Sequence, residues 1–308
     1  MRAIYTNQMK QKRIHVKIRN IKIEGNLNMG QLSKTQLTEY QNNGFLILEN
    51  LLDADEVKTL GDRIIQASNG ELLHLPQDRF EIEKEVVEGK VKADTYGNSL
   101  SKISRLAFND QVFDHHARNP KILDIIESIL GEDIKLYQDQ LFMKPPKIGS
   151  RQKYHQDQPL GFCIDPPEMM VTAWTAVDDS TQENGCLWML KGSHKEGPRH
   201  KEESENIERA FEAGTLKNQI PLTMKAGSVS LHHGLIFHSS TVNNSNKSRR
   251  GYATHYISGK CTYKHSQRCP KQDATVMKEN ANKPWVKSVH CRTYNTSLMR
   301  GKTYPGCV

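Results

Sequence analysis

The second half of the chain is a series of short apolar runs with the length and composition of β-strands, and no helical pattern separates one run from the next. Clusters of Pro, Gly, Asn and Asp bound these runs, which lie at 134–143, 169–177, 185–190, 228–238 and 250–258. Parallel neighbours would need a crossover of a dozen or more residues between them, usually a helix. This order of elements therefore excludes βαβ units. It predicts a mainly β fold with α, built as an antiparallel barrel or a double-sheet jelly roll.

Three helices are predicted before these strands. Each begins with a residue whose side chain can accept hydrogen bonds from the free N–H groups of the first turn: Ser33, Asp53 and Asn119. Gln36 and Glu56 complete capping boxes in the first two, and Pro120 occupies the first position of the third. We expect these N-terminal helices to pack against the outside of the β structure. The long polar stretches 70–105 and 195–219 are candidate lids over a barrel mouth.

The net charge of +8 is concentrated at the two ends of the chain. Residues 1–28 carry seven Lys or Arg and one Glu, and residues 259–308 carry ten Lys or Arg and two acidic residues, which leaves a net charge of −6 on residues 29–258. A nucleic-acid-binding domain would carry positive charge on its folded centre, so we predict no nucleic-acid partner. We interpret 1–28 as a basic extension, 29–258 as the functional domain and 259–308 as a basic segment packed on that domain.

Hydropathy and cysteine usage exclude two further classes of protein. No window reaches the about 18 uninterrupted apolar residues of a membrane helix, and no apolar signal segment precedes the cysteines. We therefore expect a cytoplasmic protein with reduced thiols and no membrane partner. A zinc site is an alternative use of the C-terminal cysteines, with the candidate ligands Cys261, Cys269, Cys291, Cys307, His265 and His290. We do not favour it, because the segment has no CxxC pair.

The tripeptide His155-Gln156-Asp157 is the first candidate for metal binding. Residues two apart on a strand point to the same face, so we expect His155 and Asp157 to converge while Gln156 points away. A histidine from a distant strand would complete the 2-His-1-carboxylate triad, which leaves positions open on iron for a chelating co-substrate and O2. The tripeptide alone is weak evidence, because a surface histidine near an aspartate arises often by chance.

We predict that His238 is the third ligand. It ends the apolar run that starts at Val229, and Arg249 follows eleven residues later, a spacing that spans one turn and a return strand. We expect the return strand to pair beside the strand that carries His238, so that the Arg249 guanidinium enters the same barrel. A guanidinium binds a carboxylate through two parallel hydrogen bonds. Arg250 is the alternative, since a register slip of one residue would exchange the two side chains.

Four other histidines lie near these positions in sequence: His194, His200, His232 and His233. We interpret one of the adjacent pair His232 and His233 as a pocket residue and the other as an outward side chain. His194 belongs to a Gly-Ser-His turn, where a structural hydrogen bond is the expected role.

These motifs lie within five longer segments, which are GFLILENLL at 44–52, LFMKPP at 141–146, YHQDQPLG at 154–161, TAWTAVDDSTQENGCLWMLKGSH at 172–194 and LHHGLIFHSSTVNNSNKSRRGYATHY at 231–256. Together they resemble the phytanoyl-CoA dioxygenase family of Fe(II)- and 2-oxoglutarate-dependent oxygenases, and the resemblance extends over most of residues 31–258. Lys191 departs from the family pattern, which usually has Pro before the Gly-Ser-His turn. This departure affects a turn more than the chemistry.

The resemblance implies a double-stranded β-helix, the cupin-like form of the jelly roll, with N-terminal helices packed on it. It implies that the catalytic iron ligands are His155, Asp157 and His238. It also implies that Arg249 binds the C5 carboxylate of 2-oxoglutarate and that the co-substrate pocket is lined by Lys144, Trp174 and Ser240. For two of these residues other roles stay open, since Lys144 could face solvent and Trp174 could serve core packing alone.

The activity implied by the resemblance uses Fe(II), 2-oxoglutarate and O2. The enzyme would hydroxylate or otherwise oxidise a small-molecule substrate and release succinate and carbon dioxide. The alternative is a non-catalytic, cupin-like protein that binds a metal and a ligand without turnover. The presence of Arg249 argues against this alternative, because a pure scaffold has little use for a complete co-substrate site.

Overall fold

The structure, a computed structural model, describes residues 30–157, 164–199, 201–263 and 297–301. The 1–28 extension lies outside the described residues. So do His200 and every candidate ligand of the alternative zinc site except Cys261. In the described part of the chain, no helix has the length and apolar character needed to cross a membrane.

Six α-helices are described: α1 (Lys34–Asn43), α2 (Ala54–Ser68), α3 (Lys84–Val87), α4 (Gln111–Ala117), α5 (Pro120–Leu130) and α6 (Lys201–Glu212). The three predicted helix starts are confirmed. Ser33 and Asp53 form complete capping boxes with Gln36 and Glu56, and Asn119 caps α5 with Pro120 at its first position. Sequence patterns did not predict α3, α4 or α6, of which α3 and α4 are only four and seven residues long.

Fourteen strands are described: β1 (Phe45–Leu48), β2 (Phe80–Ile82), β3 (Leu100–Ser104), β4 (Ile134–Lys144), β5 (Gln152–His155), β6 (Ile164–Asp165), β7 (Met170–Ala176), β8 (Leu187–Leu190), β9 (Gln219–Leu222), β10 (Val229–His233), β11 (His238–Ser240), β12 (Arg249–Ser258), β13 (Thr262–Tyr263) and β14 (Ser297–Arg300). The major sheet has the order β1-β10-β7-β12-β4-β3-β2, with β14 also beside β4, and the minor sheet has the order β5-β11-β8-β9. All of these pairs are antiparallel, so the fold is a jelly roll, as the order of elements predicted.

Two cores lie on opposite faces of the major sheet. Period-two alternation on β7 directs Val171 and Ala173 toward the helices, where they pack with apolar residues of α2 and α5, whereas Trp174 points between the two sheets. The second core is formed by Trp174 with residues of the minor sheet such as Met189. The functional side chains described below lie in the space between the sheets, beside this second core.

Two predictions about the β structure were wrong in detail. The run 228–238 is not one strand, because a turn after His233 carries the chain from β10 in the major sheet to β11 in the minor sheet. The stretch 70–105 is not only a lid, since β2 and β3 within it extend the major sheet. The stretch 195–219 contains α6, which contacts β5, and its role as a lid stays a prediction. Short elements escape sequence patterns because long-range pairing, rather than local periodicity, stabilises them.

Candidate metal centre and co-substrate site

The structure brings the three predicted ligands together. His155 on β5 and His238 on β11 are directly opposite each other in the minor sheet, so their rings lie side by side with centroids 4.3 Å apart. Asp157 was predicted to lie on the same strand as His155. Instead β5 ends at His155 and the chain bends at Asp157. Its carboxylate nevertheless reaches the two imidazoles, and one donor atom from each of the three residues lies within 4.8 Å of the others.

Backbone carbonyl groups fix the orientation of both imidazoles. Nδ1 of His155 lies 2.8 Å from the carbonyl oxygen of Lys153, and Nδ1 of His238 lies 3.2 Å from that of Ile236. A carbonyl oxygen can only accept a hydrogen bond, so each Nδ1 carries a proton, and in the neutral form of each ring the free lone pair is on Nε2. These Nε2 atoms lie 4.0 and 3.8 Å from Oδ1 of Asp157.

The protonation states suit a divalent metal. Burial lowers the pKa of His155 to about 4, so this imidazole is neutral near pH 7. Burial raises the pKa of Asp157, but attraction to the four surrounding histidines outweighs burial and brings the pKa down to about 2. Metal ligands must be deprotonated, and two neutral imidazoles with one carboxylate form the donor set of a non-haem Fe(II) site. The residues present therefore fit an iron ion.

Gln156, between two of the candidate ligands, holds the tripeptide in place. Its side-chain amide donates hydrogen bonds to the carbonyl oxygens of Gly197 and Leu235, at 3.0 and 2.6 Å, and its oxygen accepts one from the N–H of Arg199 at 2.9 Å. Gln156 is buried. Because the amide binds the turn before β11 and the segment before α6, it ties the bend after β5 to two other parts of the fold.

Arg249 enters the same cavity as the candidate ligands, but not for the predicted reason. Its strand, β12, pairs with β4 and β7 of the major sheet, whereas His238 lies on β11 of the minor sheet. The side chains of Arg249 and His238 line the same cavity because the two sheets face each other. Arg250 points to the other face of β12, where it forms an ion pair with Asp178 at 2.7 Å.

The Arg249 guanidinium is buried and mostly without partners. It is 1% exposed, and Nη2 donates to the carbonyl oxygen of Gly185 at 2.9 Å. Nε and Nη1 have no hydrogen-bond partner among the described residues. Burial lowers the pKa of Arg249 to about 10, so the group stays charged near pH 7. An unpaired buried charge is costly, so the site is suited to an anion supplied from outside the chain.

The three predicted pocket residues line this cavity, which has a volume of about 450 Å³. Lys144 is directly opposite Arg249 in the sheet and is buried rather than solvent-facing, with Nζ donating to the carbonyl oxygen of Ser150. Burial, followed by repulsion from Arg249, lowers the pKa of Lys144 to about 7. Ser240 is buried two residues after His238. One cavity is thus lined by a carboxylate, a hydroxyl and two cationic groups, which belong to Asp157, Ser240, Lys144 and Arg249.

Trp174 packs in the core and also lines the cavity, so its two candidate roles are compatible. The Arg249 guanidinium lies 5.5 Å from the centre of its ring. The ring crosses the backbone of β12 at Gly251, where an added Cβ atom would lie 1.8 Å from the indole. Only glycine at this position allows the tryptophan to reach the guanidinium.

The other described histidines near the predicted ligands divide between the cavity and the opposite face of β10. His232 is buried and lines the cavity, with Nε2 3.9 Å from Oδ2 of Asp157. His233 lies on the opposite face of β10 against the ring of His194, whose Nε2 donates to the carbonyl oxygen of Gln41 at 3.0 Å. One of the adjacent pair is therefore a cavity residue, and His194 makes a structural hydrogen bond.

Sequence reasoning missed two buried cavity residues that lie beside Asp157, namely Thr172 and His255. A signal for His255 was present, because it lies six residues after Arg249 on the same strand, and an even offset places both side chains on one face. Thr172 had no such signal. Its position became evident only from the pairing of β7 with β10 and β12.

Comparison with known proteins agrees with this geometry. The family model of phytanoyl-CoA dioxygenase (PhyH) matches residues 40–251. Phytanoyl-CoA dioxygenase 1 of Oryza sativa subsp. japonica is 27% identical over 254 residues, which cover 74% of this chain and 90% of the relative. Phytanoyl-CoA dioxygenase domain-containing protein 1 of Mus musculus is 28% identical over 267 residues, which cover 74% of this chain and 91% of the relative.

Solved structures share the fold. EctD from S. alaskensis with bound Fe has a TM-score of 0.65 and 19% identity, covering 89% of this chain and 88% of EctD. EctD with 2-oxoglutarate and 5-hydroxyectoine has a TM-score of 0.61 and 20% identity, covering 77% of this chain and 80% of EctD. Since the family model matches about two thirds of the chain, the protein belongs to the phytanoyl-CoA dioxygenase family and is an iron- and 2-oxoglutarate-dependent dioxygenase.

Proposed function

We propose that the protein uses 2-oxoglutarate and O2 to hydroxylate, or otherwise oxidise, a small-molecule substrate, with release of succinate and carbon dioxide. The observation that carries this proposal is the buried Arg249 guanidinium, with two unpaired nitrogens, in the same cavity as the His155, Asp157 and His238 cluster. An anion site and a metal site in one enclosed space match a co-substrate with a carboxylate at one end and a chelating keto acid at the other.

In this proposal His155, Asp157 and His238 hold the iron. Bound iron would supply the activation of O2 and the coordination of the C1 and C2 oxygens of the co-substrate. Arg249 orients the co-substrate by binding its C5 carboxylate, with Ser240 and Lys144 beside it. The neutral imidazole of His155 and the ionised carboxylate of Asp157 need lose no proton on loading, and the two sheets shield the reacting atoms from bulk water.

Groups left over in the cavity indicate a substrate with polar functions. Most lining residues outside the metal and co-substrate sites are polar or charged, among them Gln140, Ser101, Gln152 and Lys102. At about 450 Å³ the cavity has the size of a small-molecule site. EctD, which has the same fold, has been solved with 2-oxoglutarate and 5-hydroxyectoine. From the polar lining and the size of the cavity, and by analogy with EctD, we propose a small polar substrate for the present protein.

The test is a turnover assay on protein loaded anaerobically with Fe(II). On addition of 2-oxoglutarate and air-saturated buffer, together with fractions of small polar metabolites, we expect succinate to form, as measured by NMR. Formation should require both iron and 2-oxoglutarate, and His155→Ala should abolish it along with stoichiometric iron binding. His233→Asn is the matched control, because His233 lies on the opposite face of β10 from the cavity.

A non-catalytic, cupin-like binding protein would behave differently in the same assay. It would bind iron and 2-oxoglutarate but release no succinate with any fraction. Retention of iron and turnover by the His155→Ala variant would instead contradict the ligand assignment.

A further inference from the structure

The two oxygens of the Asp157 carboxylate face different sheets. Oδ1 faces the minor sheet, where it lies 4.0 and 3.8 Å from the Nε2 atoms of His155 and His238. Oδ2 faces the major sheet, where it lies 3.3 Å from the hydroxyl of Thr172 and 3.7 Å from Nδ1 of His255. The two oxygens therefore have different neighbours before any metal is bound.

The neighbours of Oδ2 form a row across three strands of the major sheet. His232 on β10 and His255 on β12 are each directly opposite Thr172 on the central strand β7. Directly opposite residues of neighbouring antiparallel strands project to the same face, so the three side chains point together into the cavity. All three are buried, and Thr172 is 0% exposed.

Hydrogen-bond chemistry fixes the direction of the contacts. Thr172 Oγ1 lies 3.3 Å from Oδ2 of Asp157 and 2.8 Å from Nδ1 of His255. A hydroxyl has one proton and a carboxylate can only accept, so Thr172 donates to Asp157 and accepts from the Nδ1–H of His255. Nε2 of His255 must then accept a hydrogen bond. It faces Oε1 of Gln140 at 3.2 Å, so this assignment requires the Gln140 amide to be turned with its NH2 group toward Nε2.

We propose that Thr172, held by His255, ties Oδ2 of Asp157 to the major sheet, so that the carboxylate binds the metal through Oδ1 alone. Thr172 and His255 are positioning residues in this role. A carboxylate that turned to bind through both oxygens would occupy a position needed by the co-substrate or O2. This inference rests on the proposed function, since it assumes that the His155, Asp157 and His238 cluster holds the metal.

The test compares Co(II) binding by five proteins: the parent, Thr172→Val, Thr172→Ser, Thr175→Val and His155→Ala. Valine has the shape of threonine without the hydroxyl, and serine restores the hydroxyl. Thr175 is the matched control, because it is equally buried on the same strand but bonds to His116 on the helical side of the sheet. Co(II) dissociation constants are measured by competition with a chelator, and the visible spectrum of bound Co(II) reports its coordination.

Loss of an outer hydrogen bond to a ligand typically weakens metal binding about 10- to 100-fold. We expect a loss of this size and a changed Co(II) spectrum for Thr172→Val, but near-parental values for Thr172→Ser and Thr175→Val. Parental affinity and spectrum for Thr172→Val would overturn the inference and leave the proposed function intact. Failure of the parent to bind Co(II), or unchanged binding by His155→Ala, would overturn the proposed function itself.

A second variant is informative if Thr172→Val does not fold, as judged by circular dichroism. His255→Leu removes the donor that orients the Thr172 hydroxyl, and His255→Gln retains a side-chain amide donor. We expect weaker Co(II) binding for the leucine variant than for the glutamine variant. If both variants bind Co(II) as tightly as the parent does, a positioning role for His255 is contradicted.

Discussion

Replacement of Arg249 by alanine should separate co-substrate binding from metal binding. The guanidinium is buried in the cavity with two unpaired nitrogens, so a bound carboxylate would receive two parallel hydrogen bonds there. Among the described residues, Arg249 donates to the carbonyl oxygen of Gly185 and not to any of the three candidate metal ligands. We therefore expect the variant to bind iron as the parent does and to bind 2-oxoglutarate much more weakly.

The size of the effect follows from the burial of the pair. Removal of one partner of a desolvated, hydrogen-bonded charge pair costs about 2–5 kcal/mol. At 25 °C this corresponds to an increase of roughly 30- to several-thousand-fold in the dissociation constant. Arg249→Lys should recover only part of the loss, because an ammonium keeps the charge but cannot present two parallel donors.

Arg250→Ala is the matched control for this prediction. Arg250 pairs with Asp178 on the other face of β12, with both side chains 23% exposed, so its removal should cost about 1 kcal/mol of stability or less. Calorimetric titration of 2-oxoglutarate into metal-loaded protein, with thermal melting of each variant, measures both quantities. The reasoning fails if Arg250→Ala loses 2-oxoglutarate affinity while Arg249→Ala keeps it, or if neither variant changes that affinity.

Two further predictions concern Lys144 and the N-terminal extension. Because burial lowers the pKa of Lys144 to about 7, its positive charge is present below pH 7 and lost above it, so 2-oxoglutarate affinity should fall as pH rises through 7. Titrations at several pH values should show this fall in the parent and not in Lys144→Met. Deletion of residues 1–28 should leave the melting temperature and turnover near parental values, since the first capping box begins at Ser33; loss of folded protein would refute it.

Several features of this protein were predictable from sequence because they depend on neighbours along the chain. A capping box needs only Ser33 and Gln36, three residues apart, so the start of α1 was predicted to the residue. The strands β4, β7 and β12 were predicted within a residue or two, since each is a long apolar run bounded by turn residues. The candidate ligands were selected by chemistry and spacing, and the structure places them together.

The partner of each strand was not predictable, and several details of the site depend on it. Alternation along a strand determines which side chains share a face, but it does not say which sheet the strand joins. For this reason β12 was expected beside the strand of His238 and instead lies in the opposite sheet. Sequence spacing likewise placed Asp157 on a strand, whereas the bend after β5 carries it between the sheets.

The sequence by itself thus determined the residue types of the site and the local elements that carry them. Only the tertiary structure decided that Thr172, His232 and His255 form one row against Asp157, and that Arg249 lies buried without a counter-ion among the described residues. The physical reason is that capping and periodicity act over a few residues, whereas register between strands and the facing of two sheets are decided by packing between residues far apart in the chain.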